Sequence, residues 1–314
     1  MAIESNPTMR PEHHTPRRYE VRHETAYTYD DDVTASYGRA CLRPRLTPHQ
    51  AVQSHDISIE PEPDVLGEHV DFFGNFSHYV EILRPHQSLV VTKRSVVEVD
   101  WPAVDLDELD AFTVASAAER LRTDPLVDPV EAETYLLPSP LVSFEAEVHE
   151  YASSHLWPDR PLGEAILALT RGIYSDFRYT KGATTTKTTL PEIITSREGV
   201  CQDFAHLASA CLRVHGLPAR YVSGYIETVP PPGKPKLAGS DATHAWTSVM
   251  VPRPGGGSMW VDLDPTNDHL ADSRYIVTAW GRDFRDVSPL KGVIFTESKK
   301  STLKVGVDVI RLPD

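Results

Sequence analysis

Ser196–Leu207 reads SREGVCQDFAHL. A thiol stands directly after Gly-Val and directly before a run with helical periodicity. The run continues through ASACLRVH and stops at Gly216-Leu217-Pro218, where glycine followed by proline ends a helix. Cys201 therefore opens a helix. Gly199, two residues earlier, lets the backbone turn and come close to a ligand. A helix N-terminus presents N–H groups and the positive end of the dipole. Such a position favours thiolate over thiol and offers donors to an oxyanion. One location thus supplies a nucleophile and part of an oxyanion hole, with the N–H of Gln202 as a second donor. The ordinary role of a cysteine is that of a small buried hydrophobe. Cys211, amid Ala208, Leu212 and Val214, reads that way, as does Cys41 within a strand.

Metal binding is the other use of CQDFAHLASACLRVH, which holds Cys201, His206, Cys211 and His215. On one helix Cys201 and Cys211 are separated by roughly 15 Å of rise, and Cys201 and His215 by roughly 21 Å. Ligand distances of about 2.0–2.3 Å cannot bridge that span. His215 reads as a helix-end histidine and His206 as a core residue or a support to the site. No metal and no cofactor is expected.

A thiol nucleophile needs a base, and the base an orienting group. Of the 14 histidines, His244 opens THAWTSVMV, which the glycine-rich PRPGGG joins to SMWVDLDPTND as a hairpin. Centred near Pro254, that hairpin sets His244 opposite Asp264, with Cβ atoms about 5 Å apart. Asp262, on the same strand face, is the second choice for the acid. Trp246 shares a face with His244 and is expected to wall off water or pack against substrate. Thr266 and Asn267 are expected to cap the turn after the acid. Tyr179 in DFRYT either lines the site or packs. The Pro/Gly-rich segment 229–242 is either a cleft rim or a plain surface loop.

Around this centre the chain divides. Residues 1–17 are polar and read as a disordered tail. Residues 18–102 carry short Val-, Tyr-, Thr- and Ile-rich segments punctuated by turns such as DFFGNFSH, the pattern of a small antiparallel β domain. Residues 103–314 begin with an acidic, proline-punctuated connection and linker helices. SFEAEVHEYASSHL and PLGEAILALTRGIYSDF then carry helical spacing, with Pro161 in a first-turn position. Strands follow, including the C-terminal GVIFTESKK and STLKVGVDVIRL, which are assigned to the catalytic core. The fold class is α+β: helices packed on an antiparallel sheet, preceded by the β domain.

The chain has 314 residues, 40% hydrophobic and 24% charged, enough for a sizeable core. Its net charge of −14 argues against nucleic acid or an anionic membrane as partner. Three cysteines are too few for a secreted disulfide framework. The opening residues lack the apolar core of a signal peptide, and no run is long enough to span a membrane. The expected location is the cytoplasm.

GVCQDFAHL, THAWTSV and VDLDPTN, in that order, resemble the signature segments of the bacterial transglutaminase-like superfamily. DFRYTKGATTTKTTLPEIITSREGVC, GRDFRDVSPLKGV and the β-rich first hundred residues are similar to that family as well. The resemblance implies a papain-like core with a triad of Cys201, His244 and Asp264, and acyl chemistry through a thioester. The expected substrate is a peptide or protein amide. Water is the abundant acceptor, so hydrolysis by a cysteine peptidase or amidase is favoured, with protein-glutamine transamidation as the alternative. A non-catalytic binding or scaffold protein is a further alternative. An arylamine acetyl-transferring enzyme fits poorly, because no glycine-rich phosphate loop precedes a helix.

Overall fold

The computed structural model of the chain describes residues 13–228, 239 and 241–313. Five strands come first: β1 (Arg17–Ala40), β2 (Gln50–Glu60), β3 (Val65–Val70), β4 (Phe76–Ile82) and β5 (His86–Val99). Five helices follow: α1 (Leu106–Asp110), α2 (Val114–Thr123), α3 (Pro129–Thr134), α4 (Ala146–Ser153) and α5 (Leu162–Asp176). Then come β6 (Arg178–Tyr179), α6 (Leu190–Ser196), β7 (Glu198–Gly199), α7 (Cys201–Val214), β8 (Ala219–Ile226), β9 (Thr243–Pro252), β10 (Ser258–Asp264) and β11 (His269–Leu270). The chain ends with β12 (Tyr275–Gly281), α8 (Phe284–Val287), β13 (Leu290–Thr296) and β14 (Ser301–Arg311). The fold is α+β, as the sequence patterns imply.

Two antiparallel sheets organise the molecule. The core sheet runs β11-β10-β9-β8-β12, and the N-terminal sheet runs β2-β5-β1-β4-β3 with β13 and β14 also on β1. Strands β8 and β9 are buried almost throughout, on both faces of the sheet. Helix α7 packs against them and is itself buried from Asp203 to Arg213. A helix enclosed on all sides is the centre of a core. Helices α2 to α6 complete that core through residues such as Val148, Ile166 and Leu169. On the opposite side, Tyr19, Val21, Val97 and Val99 of the N-terminal sheet pack on Tyr225 and Ile276.

Side-chain amides tie the two sheets together. Gln50 pairs with the Val277 backbone, accepting its N–H at 2.8 Å and donating to its carbonyl at 2.7 Å. Asn75 does the same at Trp280, at 3.0 and 2.9 Å. Asn75 is aimed by the DFFGN turn, where Asp71 accepts the N–H groups of Phe73 and Asn75 and Gly74 adopts a φ of 75°.

Three expectations are corrected. The C-terminal strands do not pair with the β11-β10-β9-β8-β12 sheet; β13 and β14 pair antiparallel with β1, from Ala40 opposite Leu290 to Tyr19 opposite Arg311. β1 is 24 residues long, and β14 covers an edge that would otherwise stay open. Residues 1–12 of the expected tail lie outside the described residues, but 13–17 are held. Ser273 donates its N–H to the His13 carbonyl at 3.0 Å, and Arg17 already belongs to β1. Pro161 is the N-cap of α5 rather than its first helical residue. No helix among the described residues is long and apolar enough to cross a membrane.

Candidate active site

Cys201 is the first residue of α7. Val200 before it is extended, and the Asp203 carboxylate accepts the Val200 N–H at 2.8 Å and the Thr184 hydroxyl at 2.6 Å. The carboxylate thus satisfies the N–H of the N-cap residue and fixes the helix start. A Cβ on Gly199 would lie 3.0–3.1 Å from Phe204 and Asp203, so glycine is what lets the chain enter so closely. The first-turn N–H groups of Cys201 and Gln202 lie at this helix end. Gln202 lines the same cleft as Cys201.

The short parallel pair β6–β7 sets Tyr179 beside Gly199. Tyr179 is 47% exposed and lines the cleft, with its edge against Phe204. Burial and the nearby Cys201 push its phenol above the usual range.

His244 lies on β9 and lines the same cleft as Cys201. Its Nε2 is 2.6 Å from Asp264 Oδ2, which leaves Nδ1 as the ring nitrogen not bonded to the acid. Burial alone would lower the imidazole pKa. The Asp264 charge, the Asp264 hydrogen bond and Cys201 outweigh it and raise His244 to about 10. Asp264 is fully buried, which disfavours its charge, yet His244 and its hydrogen-bond donors hold it below the usual carboxylate value. Those donors are Asn267 Nδ2 at 2.7 Å, the Tyr275 hydroxyl at 2.8 Å and the Thr266 N–H at 2.9 Å. The expected capping by Thr266 and Asn267 is thus directed at the acid itself.

The hairpin register differs from the expected one. Leu263 pairs with Thr247 and Asp262 with Ser248, so the centre is Gly255 rather than Pro254. His244 and Asp264 therefore meet diagonally, not as direct partners. The shift comes from the turn, where Gly256 and Gly257 both adopt positive φ and Arg253 N–H bonds the Gly257 carbonyl. Asp262 makes the parallel diagonal: it accepts from Trp246 Nε1 at 2.7 Å and from the Ser248 hydroxyl. It does not reach His244.

Trp246 does not face the cleft. It is fully buried, stacked on His244 with ring centroids 6.0 Å apart and edge-on to Tyr275. Gly224 on β8 makes room for it; a Cβ there would lie 2.0 Å from the Ile276 carbonyl oxygen and 2.7 Å from the indole. The indole is the back wall of the imidazole. Most of the 229–242 loop lies outside the described residues.

Cys41 and Cys211 are buried and free, and burial pushes the Cys211 thiol up, out of the reactive range. His206 is buried, its Nε2 accepting the Phe284 N–H at 3.1 Å, and burial lowers it to about 3. The four residues considered for zinc do not converge. Two other groups bring ligand atoms within 4.8 Å of one another: His55, Glu68 and His78, and His13, His269 and Asp272. Arg43 occupies Glu68 in the first, and Arg274 chelates Asp272 in the second. These cations oppose a metal ion at either place.

The cleft above Cys201 has a volume of about 480 Å³. Two contributions escape sequence reasoning. Tyr275, which braces Asp264, comes from β12, whose pairing no local pattern announces. The far wall comes from β1 and β14, which are remote in the chain from the catalytic segments.

Residues 19–98 match the family model of the bacterial transglutaminase-like N-terminal region, and residues 151–265 that of the transglutaminase-like superfamily. This chain belongs to the transglutaminase-like superfamily. Cys201, His244 and Asp264 all fall within the second match. An uncharacterised Mycobacterium tuberculosis protein is 45% identical over 93% of this transglutaminase-like chain and 92% of its own length. An uncharacterised Mycobacterium leprae protein is 31% identical over 94% and 99%. A crystal structure of a candidate cysteine protease from Cytophaga hutchinsonii shares the fold, with a TM-score of 0.69 and 19% identity over 93% of this chain and 91% of that one.

Proposed function

We propose that this transglutaminase-like protein is a cysteine peptidase or amidase that cleaves peptide amides through a thioester on Cys201. The observation that carries the reading is a thiol at a helix N-terminus sharing a cleft with His244, whose ring is bonded to a buried Asp264. The Cys201 sulfur, as thiolate, attacks the carbonyl carbon and forms the S–C bond. The oxyanion is held by the N–H groups of Cys201 and Gln202. The C–N bond breaks as the His244 imidazolium gives its proton to the departing amine. Water then attacks the thioester, His244 takes a proton, and the carboxylic acid leaves as the thiolate is restored.

Asp264 orients the imidazole and stabilises its cation, while Trp246 and Tyr275 fix its plane. Hydrolysis is favoured over transfer to an amine because the cleft is open and water is abundant. The three unpaired thiols suit a reducing compartment, so we place the protein in the cytoplasm.

The test is to incubate the protein with a peptide library, quench with acid and search Cys201 for acyl adducts by mass spectrometry. The reading requires an adduct on Cys201, release of carboxylic acids, and loss of both in Cys201→Ala. Incorporation of an added primary amine in place of water would turn the assignment to transamidation. A Cys201 that forms no adduct while a folded protein binds peptide unchanged would favour a binding protein.

A further inference from the structure

One side of the cleft is built by the N-terminal sheet together with its C-terminal strand β14. Strands β1 and β14 pair there so that Thr25 stands opposite Val305 and Tyr27 opposite Leu303. These four residues line the same cleft as Cys201 and His244. Directly opposed residues on antiparallel strands share a face, so together they form one continuous wall. Leu303 is 55% exposed and Val305 49% exposed. Large aliphatic side chains held open to solvent inside an active-site cleft mark a surface that substrate covers.

The wall carries no charge. His23, next along β1, has Nδ1 bonded to the Tyr225 hydroxyl at 2.9 Å and Nε2 to the Thr25 hydroxyl at 3.0 Å. Burial, with Lys93 nearby, lowers it to about 4, so it is neutral at physiological pH. Among the described lining residues there is no carboxylate, and Lys181 is the one cation besides the His244 imidazolium. In a chain of net charge −14, a cleft free of carboxylates offers nothing to a basic side chain and no dense positive field to an acidic one.

We infer that the β1–β14 face is a substrate subsite for a bulky apolar or aromatic side chain within about two residues of the cleaved amide. The N-terminal β region therefore selects the substrate. This inference rests on the amide-cleaving reading above. Covering Leu303, Val305 and the ring of Tyr27 with a leucine or phenylalanine side chain removes apolar surface from water on both partners. A glycine, aspartate or lysine at that position gains none of this. Discrimination of about tenfold or more is the expected scale for such a contact.

The experiment digests a mixture of blocked hexapeptides with every position randomised and maps the cleavage sites by mass spectrometry. Leu, Phe, Tyr or Met is expected to be enriched at one position within two residues of the cut, about tenfold over Gly, Asp and Lys. Leu303→Asp and Val305→Asp change exposed positions and should leave the fold intact, checked by thermal melting. Each is expected to lower kcat/KM about tenfold on the preferred peptide while Cys201 alkylation by iodoacetamide stays within about twofold. Cleavage without any apolar enrichment, or variants that keep the wild-type profile, overturns this inference alone. Absence of all cleavage and of Cys201 adducts overturns the proposed function, and the inference with it.

Discussion

His244 carries opposing electrostatic influences. It is buried, which opposes its charge, yet Asp264 raises its pKa to about 10. Replacing Asp264 by Ala should lower the imidazole pKa well below about 10, because burial is then opposed by Cys201 alone. A pH titration of the ring by NMR reads this directly: wild type stays protonated at pH 7.5, and Asp264→Ala does not. The same pair contributes to stability with a defined sign. The His244 part is complete below 6.5 and fades as pH rises through about 10. The Asp264 part is present above its ordinary 3.8 and fades as pH falls through its lowered folded value. Wild type should therefore exceed Asp264→Asn by a margin that is constant between pH 3.8 and 6.5, falls as pH rises from 6.5 through about 10, and falls again in acid, measured by urea unfolding across pH. At this scale the sequence was most legible. Cys201 follows from Gly199 and the helix start, and His244 and Asp264 from a hairpin that must bring its two ends together. Trp246 was misplaced because strand alternation gives a shared face but not the depth behind it. That depth is set by Gly224 on another strand.

Between elements, close approach decides the geometry. Gly224 has no space for a Cβ, with the Ile276 carbonyl 2.0 Å away and the Trp246 indole 2.7 Å away. Gly224→Ala should separate β8 from β12 or displace the indole, costing about 1–3 kcal/mol in urea unfolding. It should also lower kcat, since Trp246 backs the imidazole. The hairpin shows where local reading stops. Its two strands were evident, but the register depends on how many residues the glycine turn absorbs. Gly256 and Gly257 at positive φ move the centre by one residue, which converts a facing pair into a diagonal one. A two-residue shift of partner keeps every side chain on its face, so His244 and Asp264 stay on one face in either register.

Across the whole molecule, strand β1 links the two halves. It pairs with β4, β5, β13 and β14, and its apolar face meets β8 and β12. The alternation in KVGVDVIRL announces a strand but carries no address, so its pairing with β1 was not readable from the sequence. That pairing makes the end of the chain a wall of the cleft. Truncation after Ser288 should expose the buried faces of Tyr19, Val21 and Tyr225 and open an edge of β1. The expected outcome is loss of soluble protein, or a melting temperature lowered by about 10 °C or more, as several core contacts vanish together. Retention of the wild-type melt would mean that β13 and β14 are accessory.

The most direct test of the central claim is the rate of Cys201 alkylation by iodoacetamide against pH, with sites assigned by mass spectrometry. Wild type is compared with Cys201→Ala, Cys211→Ala and His244→Ala. The account predicts fast modification of Cys201 at neutral pH, unchanged in Cys211→Ala and slowed about tenfold or more in His244→Ala. A Cys201 that reacts no faster than a small free thiol, or that ignores the loss of His244, would contradict it.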